Sequence, residues 1–119
     1  MNNLNNPDCI FCKIANKTIP AKFVYEDDEI IAFEDIKPQA PVHILVVPKA
    51  HIKKISDISN TNEKLVGKLI SVVNKIAKDK SLIAKGYRLV INCGREAGQE
   101  VFHMHLHLLG GRKFNWPPG

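Results

Sequence analysis

The chain has 119 residues, 45% hydrophobic and 24% charged, with 17 Lys and Arg against 12 Asp and Glu for a formal net charge of +5. Those values fit one globular domain, 1–119, large enough to bury a core of its own. They exclude a membrane-spanning helix, for which no apolar run is long enough, and a complete disulfide framework, since the three cysteines are an odd count.

Residues 1–8 are polar and Asn-rich and are expected to be disordered. They lack the basic start and apolar stretch of a secretory signal, so the expected location is the cytosol, with nuclear entry open to a chain this small. Residues 9–16 read as a short helix carrying Cys9 and Cys12, a pair close enough for metal or redox chemistry. Asn16-Lys17-Thr18 matches a glycosylation acceptor, which means nothing without secretion.

Residues 22–26 and 30–33 read as strands around the acidic turn Asp27-Asp28, and 37–41 as a Pro-bearing loop. Residues 42–47 are β-branched and apolar, a buried strand stopped by Pro48. The strongest helix spans about 61–80, where Leu65, Leu69, Val72, Val73 and Ile76 recur at three-to-four spacing and Lys64, Lys68, Lys75 and Lys78 fall largely opposite. Asn60 or Thr61 can cap it, Glu63 suits its first turn, and Gly67 suggests close packing at that point. The basic charge favours anionic partners in principle, but lysines spread along one helix face read first as a solvated surface.

Residues 87–92 read as a further strand, 94–99 as a glycine-bearing loop, 101–109 as the last strand, and 110–119 as a tail that needs something to pack against. Cys93 stands alone in an apolar stretch. Strands joined by short loops rather than by repeated crossover helices predict an α+β fold: an antiparallel sheet with a helix on one face.

The chemistry concentrates in His103-Met104-His105-Leu106-His107-Leu108-Leu109. Side chains alternate along a strand, so the three imidazoles face one way and Met104, Leu106 and Leu108 face the core. Imidazole acts as nucleophile, proton donor or metal ligand near neutral pH. A row of three can hold a phosphate while one member attacks phosphorus and its neighbours donate hydrogen bonds, and the backbone N–H groups of a preceding glycine loop can bind anionic oxygens. A merely polar strand face explains the row poorly, because it lies inside a packed-looking pattern.

With its alternating His and apolar residues over 103–109, the chain resembles the histidine triad (HIT) family, in the branch of purine nucleoside phosphoramidases. Further similarity lies in Ile19-Pro20-Ala21-Lys22, Phe33-Glu34-Asp35-Ile36, Pro38-Gln39-Ala40-Pro41-Val42-His43, Val47-Pro48-Lys49, Gly86-Tyr87-Arg88, Gly98-Gln99, Gly110-Gly111-Arg112 and Trp116-Pro117-Pro118-Gly119. The resemblance implies a sheet of about five antiparallel strands with one long and one short helix, two subunits joining into one continuous sheet. It implies hydrolysis of purine nucleoside 5′-phosphoramidates, conjugates of AMP or GMP, through a nucleotidyl-histidine intermediate on His105. His107 would contact the phosphate and leaving group, and His43 would support the nucleophile. Asp35 would hold the ribose hydroxyls, Asn92 and the Gly98-Gln99 backbone the phosphate. Phe11, Ile14, Ile19, Phe33 and Ile36 would form the base slot, and Trp116 would reach the neighbouring subunit's leaving-group side.

Each residue also has a plainer reading. The apolar five would be ordinary core, Asp35 a turn residue, His43 a satisfied structural histidine and Trp116 tail packing. Glu100 departs from the family, many members of which carry Ser or Thr there. An ionised carboxylate cannot donate to a departing amine, which puts the leaving group in question rather than the nucleophile.

Cys9-x-x-Cys12 suits tetrahedral thiolate coordination of zinc, although such a pair is often only two nearby thiols, and no thioredoxin-like pattern accompanies it. Similarity to zinc-bearing members implies His51 and His103 as the remaining ligands of a structural ion. No organic cofactor, membrane or specific nucleic acid is expected. Alternative readings are a dinucleoside polyphosphate hydrolase, against which the Gly110-Gly111-Arg112 ending and the tail lean, and a non-catalytic nucleotide-sensing adaptor. A DNA-end-processing role would call for a nucleic-acid-binding domain that does not follow the triad.

Overall fold

The computed structural model describes residues 6–119. Five strands form one antiparallel sheet among these residues: β1 (Phe23–Glu26), β2 (Ile30–Glu34), β3 (Val42–Pro48), β4 (Tyr87–Val90) and β5 (Leu106–Gly110), in the spatial order β1-β2-β3-β5-β4. A short helix α1 (Ile10–Ala15) precedes them, and α2 (Glu63–Asp79) lies between β3 and β4. The fold is the expected α+β sheet. No helix among the described residues is long and apolar enough to cross a membrane.

The period-two alternation of the strands assigns each residue to one of two cores. Ile30 and Ala32 of β2, Ile44 and Val46 of β3, and Leu106 and Leu108 of β5 pack with Met104 beneath Leu69, Val72, Val73, Ile76 and Ala77 of α2. Ile31 and Phe33, with Leu45 and Val47, face the other way and pack with Phe11, Cys12 and Ile14 of α1. Both faces are therefore covered, which is why β2 reads as an unbroken apolar run. Each helix seats its apolar stripe on its own side of the sheet.

The long helix begins two residues later than the spacing suggested. A separate 3-10 turn at Asn60–Asn62 takes up the capping residues, with the Ser59 side chain and Asn62 bonding reciprocally. Gly67 has no packing role: a Cβ there would meet nothing within 4 Å. Of the lysines on the exposed face, Lys68 pairs with Asp27 and Glu29, and Lys75 with Asp79 four residues on.

Of the stretch expected to be disordered, residues 1–5 lie outside the described residues, and Asn6–Asp8 form a turn in which Cys9 N–H donates to Asn6 O at 3.0 Å. The last strand is shorter than expected. Pairing with β3 begins at Leu106 opposite Val46, and residues 101–105 run out beyond the sheet. Their backbone has other obligations: Met104 N–H donates to Ile52 O at 2.7 Å. The tail touches the sheet through Arg88, which donates to Asn115 O at 2.9 Å and lies 5.1 Å from the Phe114 ring centre, while most of its residues are exposed.

Candidate functional site

The alternation of His103, His105 and His107 survives the early end of strand pairing. Met104, Leu106 and Leu108 lie in the α2 core, while all three imidazoles lie on the α1 face, where Phe11 meets the rings of His103 and His105 edge-on. His43, from β3, meets His107 on the same face. Two clusters of histidines result, and backbone hydrogen bonds give them different characters.

In the first, the His103 ring is wholly buried and its Nε2 contacts Pro48 O at 2.7 Å. A carbonyl only accepts, so Nε2 carries the proton and Nδ1 carries the lone pair. That Nδ1 faces Cys9 Sγ at 3.3 Å, Cys12 Sγ at 3.6 Å and His51 Nδ1 at 3.2 Å, while Cys12 Sγ lies 3.4 Å from His51 Nδ1. The ligand atoms of Cys9, Cys12, His51 and His103 all lie within 4.8 Å of one another, close enough to hold a metal ion. Cys12 N–H donates to Cys9 Sγ at 3.4 Å, and the Asn6 amide sits 3.4 Å from His51 Nε2. Burial holds His103 at a pKa of about 4, helped by the neighbouring His51 and His105, so its ring is neutral as a ligand must be. Burial also lowers His51 and raises the Cys12 thiol.

In the second cluster, His105 Nδ1 lies 2.7 Å from His103 O. The carbonyl again fixes the tautomer, but with the opposite result: Nδ1 carries the proton and Nε2 the lone pair. Burial lowers the His105 pKa below the usual 6.5, leaving a neutral imidazole with an available nitrogen. Gln39 N–H donates to His43 Nδ1 at 3.0 Å, so the proton of neutral His43 is on Nε2. That nitrogen lies 2.9 Å from His107 Nδ1 and 3.4 Å from Asp35 Oδ2. His107 Nδ1 therefore accepts, and its own proton sits on Nε2. Burial, then His105 and His43, lower the His107 pKa to about 4, and burial lowers His43 against the pull of Asp35. His105 and His107, with ring centres 5.0 Å apart, thus offer an attacking lone pair beside a hydrogen-bond donor.

Asp35 joins this cluster from the end of β2. Its Oδ1 accepts from Lys37 N at 2.8 Å. In the glycine loop, a Cβ on Gly98 would lie 3.9 Å from Asn92 Nδ2, and Gly98 has φ +98°. Both backbone N–H groups expected to bind phosphate are engaged inside that loop, Gly98 to Arg95 O and Gln99 to Gly94 O, each at 3.0 Å. The buried Gln99 side chain moors the loop, donating to Lys53 O and accepting from Gly94 N–H.

The five expected base-slot residues separate. Phe11, Ile14 and Phe33 are buried in the α1 core, Ile19 packs partly against it, and Ile36 projects with 92% of its surface exposed. Trp116 is 83% exposed. Sequence reasoning missed the groups that set the tautomers: Pro48 O, His103 O and Gln39 N–H. They are backbone atoms and carry no side-chain signature. It also missed Arg112, whose Nε donates to Gln39 O at 3.0 Å.

A five-stranded antiparallel sheet with alternating imidazoles at the entry to its fourth-placed strand defines a histidine triad protein. A family model described as "HIT domain" matches residues 16–114. The chain belongs to the HIT family. It is 48% identical over 105 residues, 88% of each chain, to the purine nucleoside phosphoramidase of Escherichia coli K12. It is 50% identical over 112 residues to an uncharacterized HIT-like protein of Synechocystis, covering 94% of this chain and 97% of that one. Among solved structures, a HIT family hydrolase from Legionella pneumophila superposes with a TM-score of 0.93 at 50% identity, covering 94% of this chain and all of that one.

Proposed function

We infer that this protein hydrolyses the P–N bond of purine nucleoside 5′-phosphoramidates. The observation that carries the reading is the paired tautomers: His105 with its lone pair on Nε2, beside His107 with its proton on Nε2. In the first step His105 Nε2 attacks the α-phosphorus and the P–N bond breaks. The nitrogen departs as an amine carrying a proton taken from solvent, while His107 Nε2–H donates a hydrogen bond across the phosphoryl oxygen and the departing nitrogen. In the second step water attacks the same phosphorus, the bond from phosphorus to His105 breaks with its electron pair returning to Nε2, and the proton of the water is released to solvent. The nucleoside monophosphate leaves and His105 regains its starting state. The 48% identity to the purine nucleoside phosphoramidase of E. coli supports this substrate class.

Asp35, beside His43 and half-buried, is the carboxylate for the ribose hydroxyls, and the partly buried Ile19 at the edge of the α1 core is the apolar side chain left to meet the base. Asn92 is the side chain for the phosphate at the glycine loop. Glu100, exposed, either points away from the site or shifts the choice of leaving group, which amine conjugates of different size and charge would separate. Two copies join through edge strand β4, and Trp116 reaches from the tail of one into the leaving-group side of the other.

For the first cluster the resident ion is zinc. Zinc–sulfur bonds of about 2.3 Å and zinc–nitrogen bonds of about 2.0 Å in a tetrahedron give S···N edges of about 3.5 Å and N···N edges of about 3.3 Å. The spacings of 3.3, 3.4 and 3.6 Å for S···N and 3.2 Å for N···N suit that ion. When bound, it ties α1 to the sheet. Four protein ligands leave it no open position for catalysis.

The test is release of AMP from adenosine 5′-phosphoramidate, compared with release from a diadenosine polyphosphate. Wild-type protein should prefer the phosphoramidate, and His105→Asn should abolish turnover. A wild-type protein that cleaves only the dinucleotide would move the assignment to polyphosphate hydrolysis. Nucleotide binding with no turnover of either would leave an adaptor.

A further inference from the structure

His107 can donate from Nε2 only if its Nδ1 is kept as an acceptor. A free neutral imidazole places its proton on either nitrogen, so something must hold one tautomer. The holding group is not on β5. It comes from the 37–41 loop through His43, and the loop is in turn held by the start of the tail.

The sequence of bonds runs in one direction. Arg112 Nε donates to Gln39 O at 3.0 Å. Gln39 N–H donates to His43 Nδ1 at 3.0 Å. His43 Nε2–H donates to His107 Nδ1 at 2.9 Å. Gln39 also secures its own loop by donating from its side-chain amide to Lys37 O at 3.0 Å. Arg112 is itself fixed on the tail side, where it donates to Lys113 O at 3.0 Å and lies over Phe114. The tail meets the same loop one residue earlier. Gly111 has φ +90°, and a Cβ on it would stand 2.9 Å from Pro41 Cβ. Only glycine allows so close an approach with that backbone.

The same geometry tells the second cluster from the first. The ligand atoms of Asp35, His43 and His107 also fall within 4.8 Å of one another, a spacing that can hold an ion. An ion on His43 Nε2 would send the ring proton to Nδ1, where the Gln39 N–H already points. Two donors would then face each other. The loop amide therefore keeps this cluster a proton path.

We propose that Arg112 is a positioning residue for the phosphoryl site: by holding the Gln39 carbonyl it aims the Gln39 N–H at His43, and so keeps the His107 proton on the nitrogen that serves the substrate. Its guanidinium need not touch the nucleotide. The inference rests on the phosphoramidase reading for its consequence in turnover, but the tautomers can be measured without any substrate.

The experiment uses the full-length protein labelled with 15N-histidine. Two-bond 1H–15N correlation assigns the proton of each ring. Wild type should show His43 and His107 as Nε2–H tautomers. Arg112→Ala should introduce a second His107 population protonated on Nδ1 and lower kcat roughly three- to tenfold, the scale of one lost hydrogen bond, with KM within about twofold. Arg112→Lys keeps one donor for the Gln39 carbonyl and should recover part of both. Gln39→Pro removes the N–H itself and should give the same change in tautomers wherever it folds. The proposal is overturned by Arg112→Ala with wild-type tautomers, whether or not kcat falls, since Arg112 would then act through tail packing alone. Failure of the wild type to cleave any phosphoramidate would defeat the substrate assignment and leave the tautomer result to stand or fall by itself.

Discussion

His103 and His105 are two residues apart, face the same side of the sheet and are both buried, yet they belong to different chemistries. The His103 ring is anchored through Nε2 to Pro48 O, which turns its Nδ1 towards two thiols and a second imidazole. The His105 ring is anchored through Nδ1 to His103 O, which frees its Nε2. One carbonyl in each case decides whether an imidazole serves a metal cluster or offers a nucleophile. Residue type and strand alternation place the rings; the backbone around them assigns their work.

The sharpest way to break the comparison is to remove one ring at a time. His105→Asn should reduce turnover by about three orders of magnitude or more, as expected where a nucleophile is lost, while metal content and melting temperature stay near wild type. A nearly active variant would show that the division into two clusters is wrong. Cys12→Ser or His103→Asn should do the reverse, losing the bound metal and about 2–4 kcal/mol of stability, a fall of roughly 10–20 °C in Tm, with the surviving folded fraction still active. A melting curve unchanged by either substitution or by a strong chelator would remove the metal's structural role.

The pH profile separates the clusters more gently. His107 must be neutral to accept from His43, and its pKa is held at about 4 by burial, then by His105 and His43. A depressed pKa means the ring protonates only at lower pH, so kcat/KM should stay level as pH falls through the ordinary histidine value of 6.5 and decline towards 4. An acid limb centred at 6.5 would contradict that environment. The smallest effect is a control on the far side of the sheet. Gly67→Ala, on the exposed face of α2 with open space around it, should raise stability by about 1 kcal/mol and leave both metal content and turnover unchanged.

Much of this was legible before any coordinates. The three-to-four spacing of Leu69, Val72, Val73 and Ile76 marked the helix, and these are the residues that bury it. The alternation through 103–109 put the imidazoles on one face and Met104, Leu106 and Leu108 in the core. Cys9 and Cys12 with His51 and His103 did assemble into one cluster. Other points were hidden for physical reasons. Pro48 marks the end of β3, but alternation does not give the register of β5 against it; pairing starts at Leu106 opposite Val46, so the reading of 101–109 as strand begins too early. Gly67 looked like a packing site because a glycine in a helix usually needs a reason, and none is present in its surroundings. Ile36 reads as apolar core or pocket from its type, but it projects from a turn. The carbonyls of Pro48 and His103 and the amide of Gln39 could not be read at all, because every residue has them and only the folded chain aims them.

The central claim is that a lone pair on one buried ring makes a bond to phosphorus, and it can be caught in the act. Protein mixed with a purine nucleoside phosphoramidate, quenched within a turnover and digested, should yield a peptide carrying one nucleotidyl group on His105, seen by mass spectrometry. The same adduct on His103 or His107, or brisk hydrolysis with no protein adduct at all, would contradict it.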